Sequence, residues 1–233
     1  GSRGLHATYE GIINANNVAI STQGSSCAAL ATDRGGGTIT ASDMTLETHS
    51  NGSPLVYSTG SITVTNSKGT AYNAQAIVVE GGSSAEADDC DFTCSGEGNR
   101  TGKSESSSGS HVIDQAGIFI YQSFSGDSSE GIDYFTAKNS TFTVTTEGVP
   151  MFYLTNISAE ISLENNTFVS ASSDDYFCIC EETDQWGSTG SNGGKAVFSL
   201  TGSISSYTKA FKGGSSSNSL SGLDSLTIIE KTW

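Results

Sequence analysis

The segment Ser61-Ile-Thr-Val-Thr-Asn66 decides the fold. Its apolar and polar residues alternate with the two-residue period of a half-buried strand, and it closes on an asparagine. The same phrase, an apolar start with Asn or Asp four residues later, returns in Ile13–Asn17, Ile39–Asp43, Ala85–Asp89, Phe135–Asn139 and Ile161–Asn165. Successive starts lie 26, 23, 23, 50 and 26 residues apart. Three positions beyond the Asn or Asp stand Ile20, Leu46, Gly69, Phe92, Phe142 and Phe168, apolar in all but one case. Between these phrases lies a compact apolar run: Cys27–Leu30, Pro54–Tyr57, Ala76–Val79, Gly117–Ile120, Pro150–Tyr153 and Phe177–Cys180. No stretch carries the i, i+3, i+4, i+7 pattern of a long helix.

Three short strands per period, repeated along the chain, predict an all-β solenoid of about six to seven coils. The coils are expected over about 10–200, with Lys195–Leu200 as a partial seventh. The stretch from about 201 to 233 is expected to form a partial coil or a cap, all within a single domain. Asn17, Asp43, Asn66, Asp89, Asn139 and Asn165 are then a structural turn ladder, since Asn and Asp tolerate left-handed backbone and bond their own chain. The 50-residue spacing is one coil bearing an insertion. The polar stretches 96–109, 126–130 and 181–194 are expected to protrude as loops, where function often resides.

Ser (40), Thr (26), Gly (28) and Asn (13) supply 107 of the 233 residues, which suits the bends and polar exterior of such a rod. The formal net charge of −15 argues against a nucleic-acid backbone as partner. No apolar run approaches the length of a membrane span. Thr38-Ile-Thr40, Thr63-Val-Thr65 and Thr143-Val-Thr145 resemble the threonine arrays of ice-binding solenoids, but such arrays need near-identical coils, and the unequal periods count against that use.

The five cysteines, Cys27, Cys90, Cys94, Cys178 and Cys180, match no zinc spacing and make a poor disulfide framework. They read as buried hydrophobes, with a Cys90–Cys94 pair as the minority case. No cofactor is required by any motif; the one metal expectation is Ca²⁺ held by the carboxylates of Asp88, Asp89 and Asp91. Glu80 and Glu181 end apolar runs in different coils, as do Thr59, Gln122 and Thr155, which predicts a polar stripe along one edge of the rod. Tyr57, Tyr121, Tyr153 and Trp186 neighbour that stripe. Aromatic faces beside carboxylates and amides suit sugar binding, so Tyr57, Glu80, Tyr121, Tyr153, Glu181 and Trp186 are the candidate ligand-binding residues.

Ile39-Thr-Ala-Ser-Asp43, Ser140-Thr-Phe-Thr143 and the runs Leu55–Tyr57, Ala76–Val79 and Met151–Leu154 resemble right-handed parallel β-helix proteins. The nearest likeness is to adhesin-like bacterial cell-surface proteins of the pectate-lyase superfamily. The resemblance implies a right-handed helix and a secreted or wall-exposed protein, in a group where some members bind or cleave polysaccharides. Unpaired thiols in such a protein suit an anaerobic habitat. Lyases of the group place Asp ligands for calcium near a basic residue, and the related hydrolases carry paired Asp with Gly-His-Gly and Arg-x-Lys. This sequence has neither of those tripeptides, and its arginines are Arg3, Arg34 and Arg100 only. The expectation is therefore a non-enzymatic extracellular binding module, presenting loops 96–115 and 181–194 to a polysaccharide or a host or cell-surface glycoprotein. The alternative is a polysaccharide lyase or glycoside hydrolase.

Overall fold

The computed structural model of the chain describes residues 1–103, 109–123, 131–181, 183, 195–212 and 225–230, with the side chains of 195, 210 and 225–230 left aside. Every regular element among them is a β-strand, and none is a helix long and apolar enough to cross a membrane. The chain is a parallel β-helix. One sheet stacks eight parallel strands: Leu5–Thr8, Leu30–Asp33, Val56–Ser58, Ile77–Glu80, Ile118–Tyr121, Phe152–Thr155, Tyr176–Cys180 and Lys209–Lys212. We call this the first sheet. The other large sheet has 13 strands in two rows. Its first row begins with Gly11–Asn16 and Gly37–Ser42, and its second with Ala19–Thr22 and Thr45–Thr48. The rows are joined where Ser61–Ala71 and Ser84–Cys94 run unbroken through the bend. Each coil thus contributes three strand segments.

There are more coils than the apolar phrases indicate. Leu5–Thr8 begins the stack, and Ile204–Ser205, Lys209–Lys212 and Ser225–Glu230 continue it in the positions of ordinary coil strands. Leu5-His-Ala-Thr8 and Lys209-Ala-Phe-Lys212 are too polar to read as apolar runs, yet the backbone pairs all the same. Eight stacked strands make a rod about 34 Å tall at the usual spacing between strands.

The bends explain the Asn/Asp column. Asn17, Asp43, Asn66, Asp89, Asn139 and Asn165 all have φ between 45° and 57°, and Gly202, at 64°, takes the next place. The residues before them are in register from coil to coil: Asn16, Ser42, Thr65, Asp88, Lys138, Glu164 and Thr201. The amide at the bend still reaches the next coil, as in Asn17 to the Ser42 carbonyl (3.0 Å) and Asn165 to the Thr201 carbonyl (2.8 Å). Side chains reinforce the column locally: Asn16 Nδ2 donates to Asp43 Oδ2 (2.6 Å), and Asn139 Nδ2 to Asp88 Oδ1 (3.0 Å). A second, buried column sits one residue further on. There the Ser67 hydroxyl accepts the Met44 amide (2.9 Å), the Ser140 hydroxyl the Cys90 amide (3.0 Å), and the Ser203 hydroxyl the Asn166 amide (3.1 Å). These hydroxyls satisfy backbone donors that the turn carries into the interior.

Between the sheets lies a continuous apolar core from Ala7 to Tyr207. Its densest part surrounds Phe152, whose ring centroid is 5.2 Å from Phe177, 5.4 Å from Phe198, 5.9 Å from Phe135 and 6.0 Å from Phe168. All five cysteines are free and buried. Cys90 and Cys94 stand four residues apart on one strand, about 13 Å, well beyond disulfide reach. Burial pushes the Cys90 thiol up to about 11 and the Cys94 thiol up to about 12.

Unequal periods do not disturb the register, because extra residues leave at corners. What interrupts the outward threonine columns is composition: Thr40 and Thr63 are followed by Glu86, and Ser42 and Thr65 by Asp88.

Asn165 tests the bend cleanly. Asn165→Ala is expected to lower unfolding stability by about 1–2 kcal/mol, whereas Asn165→Gly costs less, since only the former strains a left-handed backbone. Phe152→Ala is expected to cost about 3–5 kcal/mol, by loss of packing and the cavity left behind. Denaturant titration of each variant measures both.

Candidate functional site

Outward side chains of the first sheet form two rows. One row runs Ala31, Tyr57, Val78, Phe119, Tyr153, Ile179. The other carries Glu80, Tyr121 and Thr155 in register, with Glu181 just beyond the strand whose Cys180 pairs with Leu154. The sheet therefore brings Tyr57, Glu80, Tyr121, Tyr153 and Glu181 onto one face. Gln122 is displaced from the expected stripe by one residue, because the register puts Tyr121 beside Glu80. Trp186 lies outside the described residues.

The two carboxylates on this face are buried, with Glu80 1% and Glu181 4% exposed. Glu80 accepts hydrogen bonds from Tyr57 Oη, Tyr121 Oη (2.6 Å) and Ser123 Oγ. Glu181 accepts from Tyr153 Oη and pairs with His111 Nε2 at 2.8 Å. Burial, followed by the neighbouring carboxylate charge, drives the Tyr57 and Tyr153 phenols well above their ordinary value, so both stay protonated donors. Both carboxylates serve as acceptors for side chains of the chain itself.

Part of the first insertion covers this face instead of projecting from it. Thr101–Gly102 pairs antiparallel with His111–Val112, and Ile113 and Ala116 pack against Val78, Phe119 and Tyr153. The strap closes on itself at Asp114, whose carboxylate accepts the Arg100 amide (2.9 Å) and the Asn99 amide (3.2 Å). Gly98 permits that approach, since a Cβ there would collide with the Asp114 carboxyl. Burial raises the Asp114 pKa, against the pull of these amides.

Beside the strap the face remains open as a groove of about 250 Å³. Tyr57 and Tyr121 give its floor an accessible aromatic surface, with Val78 and Phe119 buried at its base (5% and 3% exposed), and its rim includes Arg3, Gln75, Asn99, Arg100 and Asp114. Arg3 lies over the Tyr57 ring at 5.4 Å, while its Nη1 bonds Asp33 and His6. Of the sequence-derived candidates, Tyr57 and Tyr121 line this groove. Tyr153 is buried beside it, under Ile113 and Ala116. Arg3, Gln75, Asn99, Arg100, Asp114 and Phe119 were not legible as site residues, because the strap's path over the sheet has no sequence signature. The scarcity of arginine was the one available signal.

Asp88, Asp89 and Asp91, the expected calcium ligands, lie at the bend in Ser84–Cys94, where Asp88 Oδ1 accepts from Asn139 and Asp89 and Asp91 line a shallow open groove with Asp43 and Lys68. No group of three or more His, Cys, Asp or Glu side chains suited to a metal ion occurs among the described residues.

A further carboxyl lies at the corner behind Glu80. Asp133 is wholly buried and accepts the Ser83 amide at 2.9 Å, and its Oδ2 has no partner among the described residues. Burial raises its pKa to about 8, assisted by Glu80 and opposed by the Ser83, Gly82 and Gly81 amides. Gly81 and Gly82 both have positive φ (62° and 72°), the geometry that turns consecutive amides towards one anion.

Comparisons with family models, curated proteins and solved structures each find no match for this chain.

The folded Asp133 carboxyl keeps its proton up to about pH 8, whereas an unfolded chain releases it near 4. The native state thus binds more protons across that window, and stability falls as pH rises through it. Relative to Asp133→Asn, the wild-type chain is expected to lose stability between about pH 4 and about pH 8, followed by denaturant titration at each pH.

Proposed function

We propose that the chain is an extracellular, non-enzymatic glycan-binding module, of the adhesin-like kind found among pectate-lyase-type β-helices on bacterial surfaces. The observation that carries this reading is the groove on the first sheet. An aromatic floor, to which Tyr57 and Tyr121 give the accessible surface over buried Val78 and Phe119, lies beneath a rim of guanidinium, amide and carboxyl groups. Sugar rings present apolar C–H faces and many hydroxyls, so stacking area below and orienting polar groups at the side suit them. The floor belongs to a stacked sheet, so its geometry is set before a ligand arrives, which lowers the ordering cost of binding.

Two features favour binding over cleavage. Glycoside hydrolysis by the usual route needs two carboxyl groups about 5 to 9.5 Å apart across the scissile bond. Glu80 and Glu181 stand three strand spacings apart, about 14 Å, and both are buried against tyrosine hydroxyls. Among the described residues that line the groove, Asp114 is the only carboxylic acid.

On an array of polysaccharides and mucins the chain is expected to be retained without releasing new reducing ends or ultraviolet-absorbing unsaturated products. Tyr57→Ala should weaken retention about tenfold, and Tyr57→Phe should preserve it, because the stacking face and not the hydroxyl meets the ligand. Steady release of either product by the purified chain would overturn the reading in favour of a hydrolase or a lyase.

A further inference from the structure

We infer that the groove selects sugars bearing an anionic substituent, a carboxylate or a sulfate ester, through Arg3 and Arg100; this rests on the glycan-binding reading. The chain holds 10 lysines and arginines against 25 acidic residues, and only three of its residues are arginine. Two of those three, from the N-terminal segment and from the strap, meet at one groove.

The hydrogen-bonding inventory points the same way. A guanidinium has five N–H donors and no acceptor. Among the described residues the bonds that hold Arg3 engage Nη1, with Asp33 and His6, and its Cζ lies 5.4 Å from the Tyr57 ring centroid. That leaves Nη2 and Nε on a side chain already fixed in orientation. Arg100 is exposed, and its guanidinium forms no ion pair among the described residues. The carboxylate of the same groove, Asp114, is occupied by the Asn99 and Arg100 amides. The groove therefore offers the Arg100 guanidinium and the remaining N–H donors of Arg3, which is ion-paired with Asp33, while its charged acceptor is satisfied internally. Planar guanidinium forks match carboxylate and sulfate oxygens, and such charge-assisted bonds are about twice as strong as neutral ones. A ring stacked on the aromatic floor would place an exocyclic anion at the rim, where the arginines stand.

The test is an array printed with neutral glycans and their sialylated, uronate-bearing and sulfated derivatives, probed with the full chain and with Arg100→Ala. Arg100 is exposed, so that variant should melt as the wild type does. Preferential retention on the acidic derivatives, reduced about tenfold or more by Arg100→Ala while retention on the neutral parents falls by less, so that the acidic-to-neutral ratio drops, is the expected result. Carboxylate-only or sulfate-only retention would identify which anion is read. Equal retention of neutral and acidic forms would overturn this inference and leave the glycan reading intact. An acidic preference that survives both Arg100→Ala and Arg3→Ala would remove it from this groove. Absence of retention on every glycan would sink both readings together.

Discussion

Amides and carbonyls in this molecule bond between consecutive coils, parallel to the rod axis, and that arrangement constrains everything else. In-register parallel pairing puts each residue directly over its counterpart one coil away, so an inward column keeps one environment along its length. Leu30, Val56, Ile77, Ile118, Phe152 and Cys178 form an inward column and are all buried in the core. A chain obeying this rule can vary its length only where pairing is interrupted, at the corners. That is why a 50-residue period sits among periods of 23 and 26 without shifting any strand. The left-handed bend is the local condition for it, supplied in six coils by Asn or Asp and in the next by glycine.

The same stacking creates a problem on the outer face of the first sheet and supplies the solution. Glu80 and Glu181 are carried to positions that the strap and the neighbouring rows bury. Buried carboxylates are tolerable only when charge-assisted bonds satisfy them. Tyrosines on the adjacent strands, and one histidine from the strap, provide those bonds. This network fixes the phenol rings whose faces then floor the groove. Site and scaffold are therefore not separable: the hydroxyl of Tyr57 belongs to the fold, and its ring face to the groove.

The periodic part of the structure was plain in the sequence, because a column repeats its residue type and a repeat can be counted. Ile62-Thr-Val-Thr-Asn66 and its relatives located the bends, the strand rows and the inward face. They also placed Tyr57, Glu80, Tyr121, Tyr153 and Glu181 on one side of the rod. What they could not show was which of these remain accessible, since that depends on the aperiodic strap. Ile113, Asp114 and Ala116 have no counterpart in other coils, and their contacts with Phe119 and Tyr153 follow from a path through space. Arg3 and Arg100 were invisible for the same reason. The expected calcium triad was read from closeness in sequence alone: Asp88 is tied to Asn139, and no group of three such side chains suited to a metal ion occurs among the described residues.

The direction of the backbone ladder also governs how the rod responds to force. Tension applied along the axis loads the inter-coil hydrogen bonds end-on, one coil interface at a time, and each coil can peel away without the next having moved. Tension applied across the axis, between two points on one coil, loads the covalent chain while the neighbouring coils hold it in shear. A molecule built this way is compliant when pulled from its ends and stiff when gripped at its sides. The strap, tied to the rod at Gln75 and Glu181 several coils apart, acts as a splint over the interfaces that axial tension would open first.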